Sequence, residues 1–472
     1  MTGVHFLGIG GVGMAGVAFL LKARGRAVSG CDLYATPRTR WLEANGIPVA
    51  IGHDASHITD SVATSATFPD ELIVTPAVPP SNPELAAARA AGLTVRSRGE
   101  VLASLVNAAD GIAVCGTHGK TTTATFTTRL LQNLGASPSW CIGGETGTVP
   151  VAGVGTGPTQ TGTVPTILGA GPLVVEADES DGTLALYRPR TLVLNAVDFD
   201  HLEHFGSKED YFDCYRAAIR QTTDTIIVCA DHPQALELVD GVCPPEAAGR
   251  SIPQVVTFGF APEAQVNAAD WPDIPVLGRH NVANALAAIA VALTRGFTRE
   301  QIGAALPDAV ATLPDRRFEQ IAEADGVRVY TDYAHHPAEL KCAIDMARAL
   351  HPARLRVLFQ PHRYSRTKAL RDEFPPAFTA ADEVVLAPVY AAFEEPIPGG
   401  DITDLYAAFR GQTPHVTLAP SLDEGWQHLF STARPGDILM LLGAGDIINL
   451  VPRVKNEMAK RGAVATTPPP CP

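Results

Sequence analysis

The chain has 472 residues, of which 46% are hydrophobic and 18% charged, and its formal net charge is −14. That length exceeds one ordinary core and sets an expectation of roughly two to four domains. The acidic balance excludes nucleic acid as the main partner, because a phosphate backbone needs a basic face, but leaves room for an anionic small substrate in a locally positive pocket.

Residues 4–7 read as a strand and run into Gly8-Ile9-Gly10-Gly11-Val12-Gly13. Residues 14–24 read as a helix and 27–31 as a second strand, which ends at Asp32. This is a βαβ unit with a glycine turn and a following acidic residue, which either holds a nucleotide or only packs tightly. The apolar run 4–23 could be taken for a membrane anchor. No basic segment precedes it and five glycines interrupt it, so a soluble, cytoplasmic chain without membrane insertion is expected. Further on, 72–75 read as a strand and 82–91 as a helix with Pro83 in its first turn.

A second segment covers 109–313. The apolar run 111–115 is a buried strand, followed by Gly116-Thr117-His118-Gly119-Lys120-Thr121-Thr122-Thr123 and a helix over 124–134. Small residues let backbone N–H groups close on phosphate oxygens at a helix N-terminus. Lys120 can reach the β- and γ-phosphates, and a threonine hydroxyl can ligate Mg²⁺. The usual loop has a glycine where this chain has Val114, so the loop is shorter than the common form.

Residues 173–181 form a strand ending in Glu176-Ala177-Asp178-Glu179-Ser180-Asp181, and 190–197 a strand ending in Asp198-Phe199-Asp200-His201. Glu176 is placed to bind Mg²⁺, and His201 is a candidate ligand for a second ion. Strands at 226–230 and 255–258 alternate with helices at 211–221 and 281–294, which implies a mostly parallel sheet with ligands at the carboxyl ends of its strands. Residues 143–171 are rich in Gly, Thr and Pro and are expected to form a surface loop or short hairpin near the nucleotide.

The third segment begins near Arg316. Arg316 and Arg317 follow a Pro-Asp turn and could deliver a cation to the phosphates. Strands are read at 327–332, 355–360, 383–387 and 437–442, with a helix over 337–350. Asp332-Tyr333-Ala334-His335-His336-Pro337 joins strand to helix and could position a small polar substrate. His362-Arg363-Tyr364-Ser365-Arg366 follows the next strand, and its two arginines could face one carboxylate. The last strand runs into Gly443-Ala444-Gly445-Asp446, and the tail from 463 is expected to be disordered. The eight cysteines are spread singly with no C-x-x-C pair, so the spacing predicts core cysteines and neither a zinc nor a redox site.

Taken in order, HFLGIGGVGMAG, GTHGKTTT, EADESD, DFDH, GRHNVANALAA, RRFE, DYAHHPAE, QPHRYSRT and LLGAGDI resemble the Mur ligases of peptidoglycan synthesis over nearly the whole chain. Within that family HHP together with HRYSRT favours the alanine-adding member. The resemblance implies an α/β protein of three domains: a Rossmann-like UDP-sugar domain (1–108), a central P-loop-type ATPase domain with a mostly parallel sheet (109–313) and a Rossmann-like amino-acid domain (314–462).

It implies ATP and Mg²⁺ as cofactors, and UDP-N-acetylmuramate and L-alanine as substrates. UDP-sugar would lie on Gly8, Gly10, Gly11, Val12 and Gly13. ATP would lie on Gly116, Thr117, His118, Gly119, Lys120, Thr121 and Thr122, with Asn281 and Asn284 near the adenine and Arg317 and Asp332 completing the site. The metal would take Thr121, Glu176 and His201. Lys120, Glu176, His201 and Arg317 would carry catalysis. His336, Arg363 and Arg366 would hold alanine.

The implied order is attack of the sugar carboxylate on the γ-phosphate, an acyl phosphate, then attack by the amine, with the third domain closing to exclude water. A monomer or weak homodimer is expected. Many members carry Thr-Asn where this chain has Asn195-Ala196, so Asn195 is left off the expected site. The stretch 187–195 is also similar to the murein-peptide recycling ligase, which attaches a tripeptide to the same sugar. The rivals from other classes are an NAD-dependent oxidoreductase built on the first glycine turn and a non-enzymatic nucleotide-gated module.

Overall fold

The computed structural model describes residues 3–59, 69–75, 78–144, 150–155, 171–199, 205–242, 253–411 and 415–465, with side chains to 462. His201, Asp200, Cys243, Cys471, most of the 143–171 stretch and the chain beyond 465 lie outside them. The chain divides into two compact units, Met1–Pro314 and Asp315–Pro472.

Among the described residues, the first unit holds two sheets. One has five parallel strands in the spatial order Val49–Ile51, Ala27–Asp32, Gly3–Leu7, Pro69–Val74 and Thr94–Ser97. The helix Val12–Ala23 begins directly on the glycine turn, with Gly11 as its N-cap. The order reverses at Gly3–Leu7, so the turn after that strand opens at the topological switch point where α/β sheets bind ligands.

The other sheet has eight strands. At its centre Gly111–Cys115 lies between Thr191–Leu194 and Leu173–Glu176, all parallel. Alternation along Gly111–Cys115 sends Ile112 and Val114 into one core, against the helices Lys120–Asn133 and Arg279–Thr294. Ala113 and Cys115 face a second core, which also contains Val4, Phe6 and Val17 of the first sheet and its helix. This shared core is the physical reason the first two sheets form one compact unit.

The loop helix starts at Lys120, four residues earlier than the apolar pattern suggests, because Gly119 in the left-handed region (φ 79°) caps it. Within the 143–171 stretch, Ala152–Gly153 pairs antiparallel with Ser139–Cys141.

The second unit has a six-stranded sheet in the order Glu319–Ala324, Val327–Asp332, Ile438–Leu442, Leu355–Phe359, Glu383–Leu386 and Val416–Leu418. Only its first pair is antiparallel among the described residues. Ile438, Met440 and Leu442 face one core and Leu439 and Leu441 the other. The final helix, Val451–Ala465, runs three residues into the stretch expected to be tail. Among the described residues no helix is long and apolar enough to cross a membrane.

Candidate functional site

The first glycine turn is shaped by close approach. Gly8 has φ 82°, and the N–H groups of Gly8 and Ile9 both donate to the Cys31 carbonyl at 2.9 Å. Gly10 N–H donates to Asp32 Oδ2 at 2.8 Å. Asp32 is therefore engaged by its own turn, whereas a dinucleotide site would turn it to a ribose. A Cβ on Gly13 would stand 2.7 Å from Arg98 Nη1. Arg98 also faces Asp178 and Asp181 at 3.8 Å each, so it joins the glycine turn to the acidic run of the central sheet. Burial opposes its charge, but Asp178, Tyr187 and Asp181 hold the guanidinium above its ordinary value. Sequence reasoning missed Arg98 because only folding brings it to the turn.

The phosphate loop sits between two acidic strand ends. Gly116 has φ 123°, and a Cβ there would lie 2.8 Å from the Ala196 carbonyl. Thr117 N–H donates to that same carbonyl at 2.7 Å, and the Thr117 hydroxyl donates to the Asp198 carbonyl at 2.8 Å. Lys120 Nζ donates to the Gly116 carbonyl at 2.7 Å and to both oxygens of Glu179 at 2.9 and 2.8 Å. The Glu179 side chain is 0% exposed and that of Lys120 12%. Burial would lower the lysine, yet Glu179, Asp178 and Glu176 hold it above its ordinary value, so it is a fixed cation. The acidic run alone did not distinguish Glu179 from its neighbours; its side chain is the one turned inward.

The Thr121 hydroxyl donates to Glu176 Oε1 at 2.9 Å, and Gly143 N–H to Glu176 Oε2 at 2.6 Å. Burial raises the Glu176 carboxyl, while Lys120, Gly143 and Thr121 oppose it. A hydroxyl and a carboxylate converging beside a phosphate loop are hard oxygen donors of the kind Mg²⁺ takes, so these two residues fit the ion. Thr122 is buried in the first helical turn.

On the opposite side His118 Nε2 lies 3.1 Å from Asp198 Oδ2, and His232 Nε2 lies 3.5 Å from Asp198 Oδ1. The hydrogen bonds of His118 and His232 hold the Asp198 carboxyl far below the usual carboxylate range. His232 follows another strand and gave no sequence signal. Asn195, left off the expected site, is buried against the loop: its Nδ2 donates to Thr123 Oγ1 at 3.0 Å. Thr123 Oγ1 donates on to Asn284 Oδ1 at 3.0 Å, and Asn284 Nδ2 to Asn281 Oδ1 at 3.4 Å. Among the described residues, Asn195 Oδ1 is buried without a hydrogen-bond partner. Asn281 and Asn284 thus stand in one chain of amides running to the phosphate-loop helix.

In the second unit Asp332 Oδ2 accepts from Phe318 N–H and Oδ1 from Ala334 N–H, each at 2.7 Å. Burial raises its carboxyl to about 6, against the opposing pull of Arg317 and the two N–H groups. Arg316 and Arg317 lie over the Tyr333 ring at 4.6 and 5.3 Å. His336 is buried and caps the helix Pro337–Ala349, accepting from Ala338 N–H at 3.3 Å. Its neighbour His335 faces His362 at 5.6 Å between ring centroids, and Arg366 Nη1 lies 3.3 Å from His362 Nδ1. Arg366 is buried and Arg363 takes φ 69°, an unfavourable conformation for a long side chain that marks a constrained turn.

A nucleotide-type glycine turn, a short phosphate loop with an oxygen-donor pair and an arginine–histidine cluster on a third sheet define an ATP-using carboxylate–amine ligase architecture. Three family profiles match in order: "Mur ligase family, catalytic domain" over 3–110, "Mur ligase middle domain" over 114–292 and "Mur ligase, glutamate ligase domain" over 316–445. The UDP-N-acetylmuramate--L-alanine ligase of Thermobifida fusca is 38% identical over 96% of this chain and 95% of its own. The crystal structure of the UDP-N-acetylmuramate-alanine ligase of Thermotoga maritima aligns over 99% of this chain and 100% of its own, with TM-score 0.73 and 26% identity. A murein peptide ligase from Psychrobacter arcticus shares the fold, with TM-score 0.66 and 23% identity over 96% of this chain and 98% of its own. The chain belongs to the Mur ligase family.

Proposed function

We propose that this chain joins L-alanine to the carboxylate of UDP-N-acetylmuramate at the expense of ATP, in peptidoglycan precursor synthesis. The supporting observation is the phosphate loop with its Thr121–Glu176 pair, in a chain alike over nearly its full length to ligases of that name. In this reading Gly116 to Thr122 wrap the triphosphate and Lys120 holds charge on the phosphoryl group in transfer. Mg²⁺ would be held by Thr121 and Glu176, with His201 a further ligand, and would neutralise phosphate charge. Gly8, Gly10, Gly11, Val12 and Gly13 hold the nucleotide sugar, and Arg98 joins them as a cation for its anionic groups.

The sugar carboxylate attacks the γ-phosphorus, giving an acyl phosphate and ADP. The alanine amine attacks the acyl carbon, phosphate leaves and the amine loses a proton. No side-chain nucleophile is needed, so the protein acts by positioning and charge. Arg363 and Arg366, with His336, take the amino acid, and Arg317 and Asp332 serve ATP. Asn281 and Asn284 serve the adenine end. The domain reading places the sugar site in 1–108, the ATP site in 109–313 and the amino-acid site in 314–462. The setting is the cytoplasm, as a monomer or weak homodimer.

The test is phosphate release that requires both ATP and UDP-N-acetylmuramate, measured with L-alanine and with L-Ala-γ-D-Glu-diaminopimelate. Release with L-alanine is expected. Release with the tripeptide alone would replace this reading with the recycling one.

A further inference from the structure

Five side chains with no part in that chemistry meet inside the first sheet. His5 comes from strand Gly3–Leu7 and Cys31 from strand Ala27–Asp32. His53 follows strand Val49–Ile51, His57 lies in the short helix Ser56–Thr59, and Glu84 is in the first turn of helix Pro83–Ala90. The Glu84 side chain is fully buried. Its oxygens lie 3.3 Å from His5 Nε2, 3.1 Å from Cys31 Sγ, 3.3 Å from His53 Nδ1 and 3.0 Å from His57 Nδ1. Cys31 Sγ also lies 3.3 Å from His53 Nδ1. The donor atoms of His5, Cys31 and Glu84 fall within 4.8 Å of one another.

A buried carboxylate needs compensating charge or dense hydrogen bonding. Among the described residues the partners of Glu84 are three imidazoles, a thiol and the Asp54 N–H, none of them a lysine or arginine. Imidazole, thiol and carboxylate around one point are the donor set of tetrahedral zinc. Zinc bonds of about 2.0–2.3 Å give tetrahedron edges of roughly 3.3–3.8 Å, near the 3.1–3.3 Å that separates Glu84 from His5, Cys31 and His53 and Cys31 from His53. The outer contacts fit as well: Ser29 Oγ lies 2.9 Å from His5 Nδ1, which turns Nε2 toward the cluster.

We propose that His5 Nε2, Cys31 Sγ, His53 Nδ1 and a Glu84 oxygen bind one zinc ion, with Ser29 and His57 orienting His5 and Glu84. Binding displaces the thiol proton to solvent and leaves a thiolate on the metal. The site has four protein ligands and no open position, so it is structural. It ties residues 53–59 and the helix Pro83–Ala90 to the strand whose Cys31 carbonyl holds the Gly8–Ile9 turn. His53 and His57, 16% and 21% exposed, mark the side from which the ion enters.

The experiment uses the full chain, untagged, exposed to zinc and dialysed before elemental analysis. About one zinc per chain is expected, also in a Thr121→Ala/Glu176→Gln variant lacking the phosphate-site donors. Cys31→Ser should lose it and Cys229→Ser retain it. Ser29→Ala should weaken it about ten- to a hundredfold in chelator competition. Cobalt(II) added to the wild-type protein should give a thiolate charge-transfer band and strong tetrahedral visible bands, which needs no variant to fold. Wild-type protein that retains no zinc and gives no thiolate–cobalt band would overturn the site. So would zinc lost only with the Thr121 and Glu176 changes.

Discussion

Replacing Lys120 should damage stability and catalysis by separable amounts. Lys120→Met leaves Glu179, 0% exposed, as a buried carboxylate without its ammonium. Removing one partner of such a pair costs about 3–5 kcal/mol, whereas neutralising both is close to neutral. At roughly 2 °C per kcal/mol for a unit of this size, the melting temperature of the first unit should fall by about 6–10 °C. Lys120→Met/Glu179→Gln should recover most of that loss.

Turnover should not recover. The positive charge at the phosphate is gone in both variants, and the expected loss is about 10²–10³ in turnover. The Lys120 group is held above its ordinary value, so its contribution is complete below the unfolded value of about 10.4 and is lost only as pH rises through the folded one. The destabilisation should therefore be level between about pH 6 and 9. Calorimetry across that range, with phosphate-release kinetics on the same samples, checks each part. A Lys120→Met protein that melts with the wild type, or a double variant that regains turnover, would refute the argument.

Other perturbations give distinct signatures. Gly119→Ala forces a Cβ to 2.5 Å from Asn284 Oδ1 at φ 79°, so isothermal titration should show ATP-analogue affinity down by at least about tenfold, with about 1–2 kcal/mol of strain in unfolding. Asp332, raised to about 6, keeps in the folded state a proton that the unfolded chain releases near 3.9. Stability of the second unit should thus fall by up to about 3 kcal/mol as pH rises from about 4 to 6 and stay level above, a slope that Asp332→Asn removes in pH-dependent unfolding. Asp198 runs the other way: its depressed carboxyl contributes above the ordinary value and is lost as pH falls through the folded one, so Asp198→Asn should lessen acid sensitivity of the first unit. Arg366→Lys removes the planar fork and should raise the KM for L-alanine by roughly tenfold or more while leaving that for ATP unchanged.

Much of this site could be read locally. The glycines at 8, 116 and 119 stand where the backbone takes positive φ, and a turn of that kind is written in consecutive residues. Strand ends at Glu176 and Asp332 were legible for the same reason, since an apolar run stopping at a carboxylate is a local pattern. Helix starts were less so: the loop helix begins at Lys120 through the geometry of Gly119, which polar residues 120–123 do not advertise.

The amino-acid sequence by itself determined the order of three α/β segments, the phosphate loop and its family, because these rest on patterns a few residues long. Tertiary structure alone decided which polar groups meet. Lys120 and Glu179 are 59 positions apart, Thr123 and Asn284 161 apart, and His5 and Glu84 79 apart. No periodicity links such pairs. The absence of a C-x-x-C spacing spoke against zinc, yet neighbouring parallel strands carry His5, opposite Ser29, and Cys31, two residues further on, and Glu84 of the helix Pro83–Ala90 reaches both. Burial then makes each meeting consequential, since a carboxylate removed from water must find its partners wherever in the chain they lie.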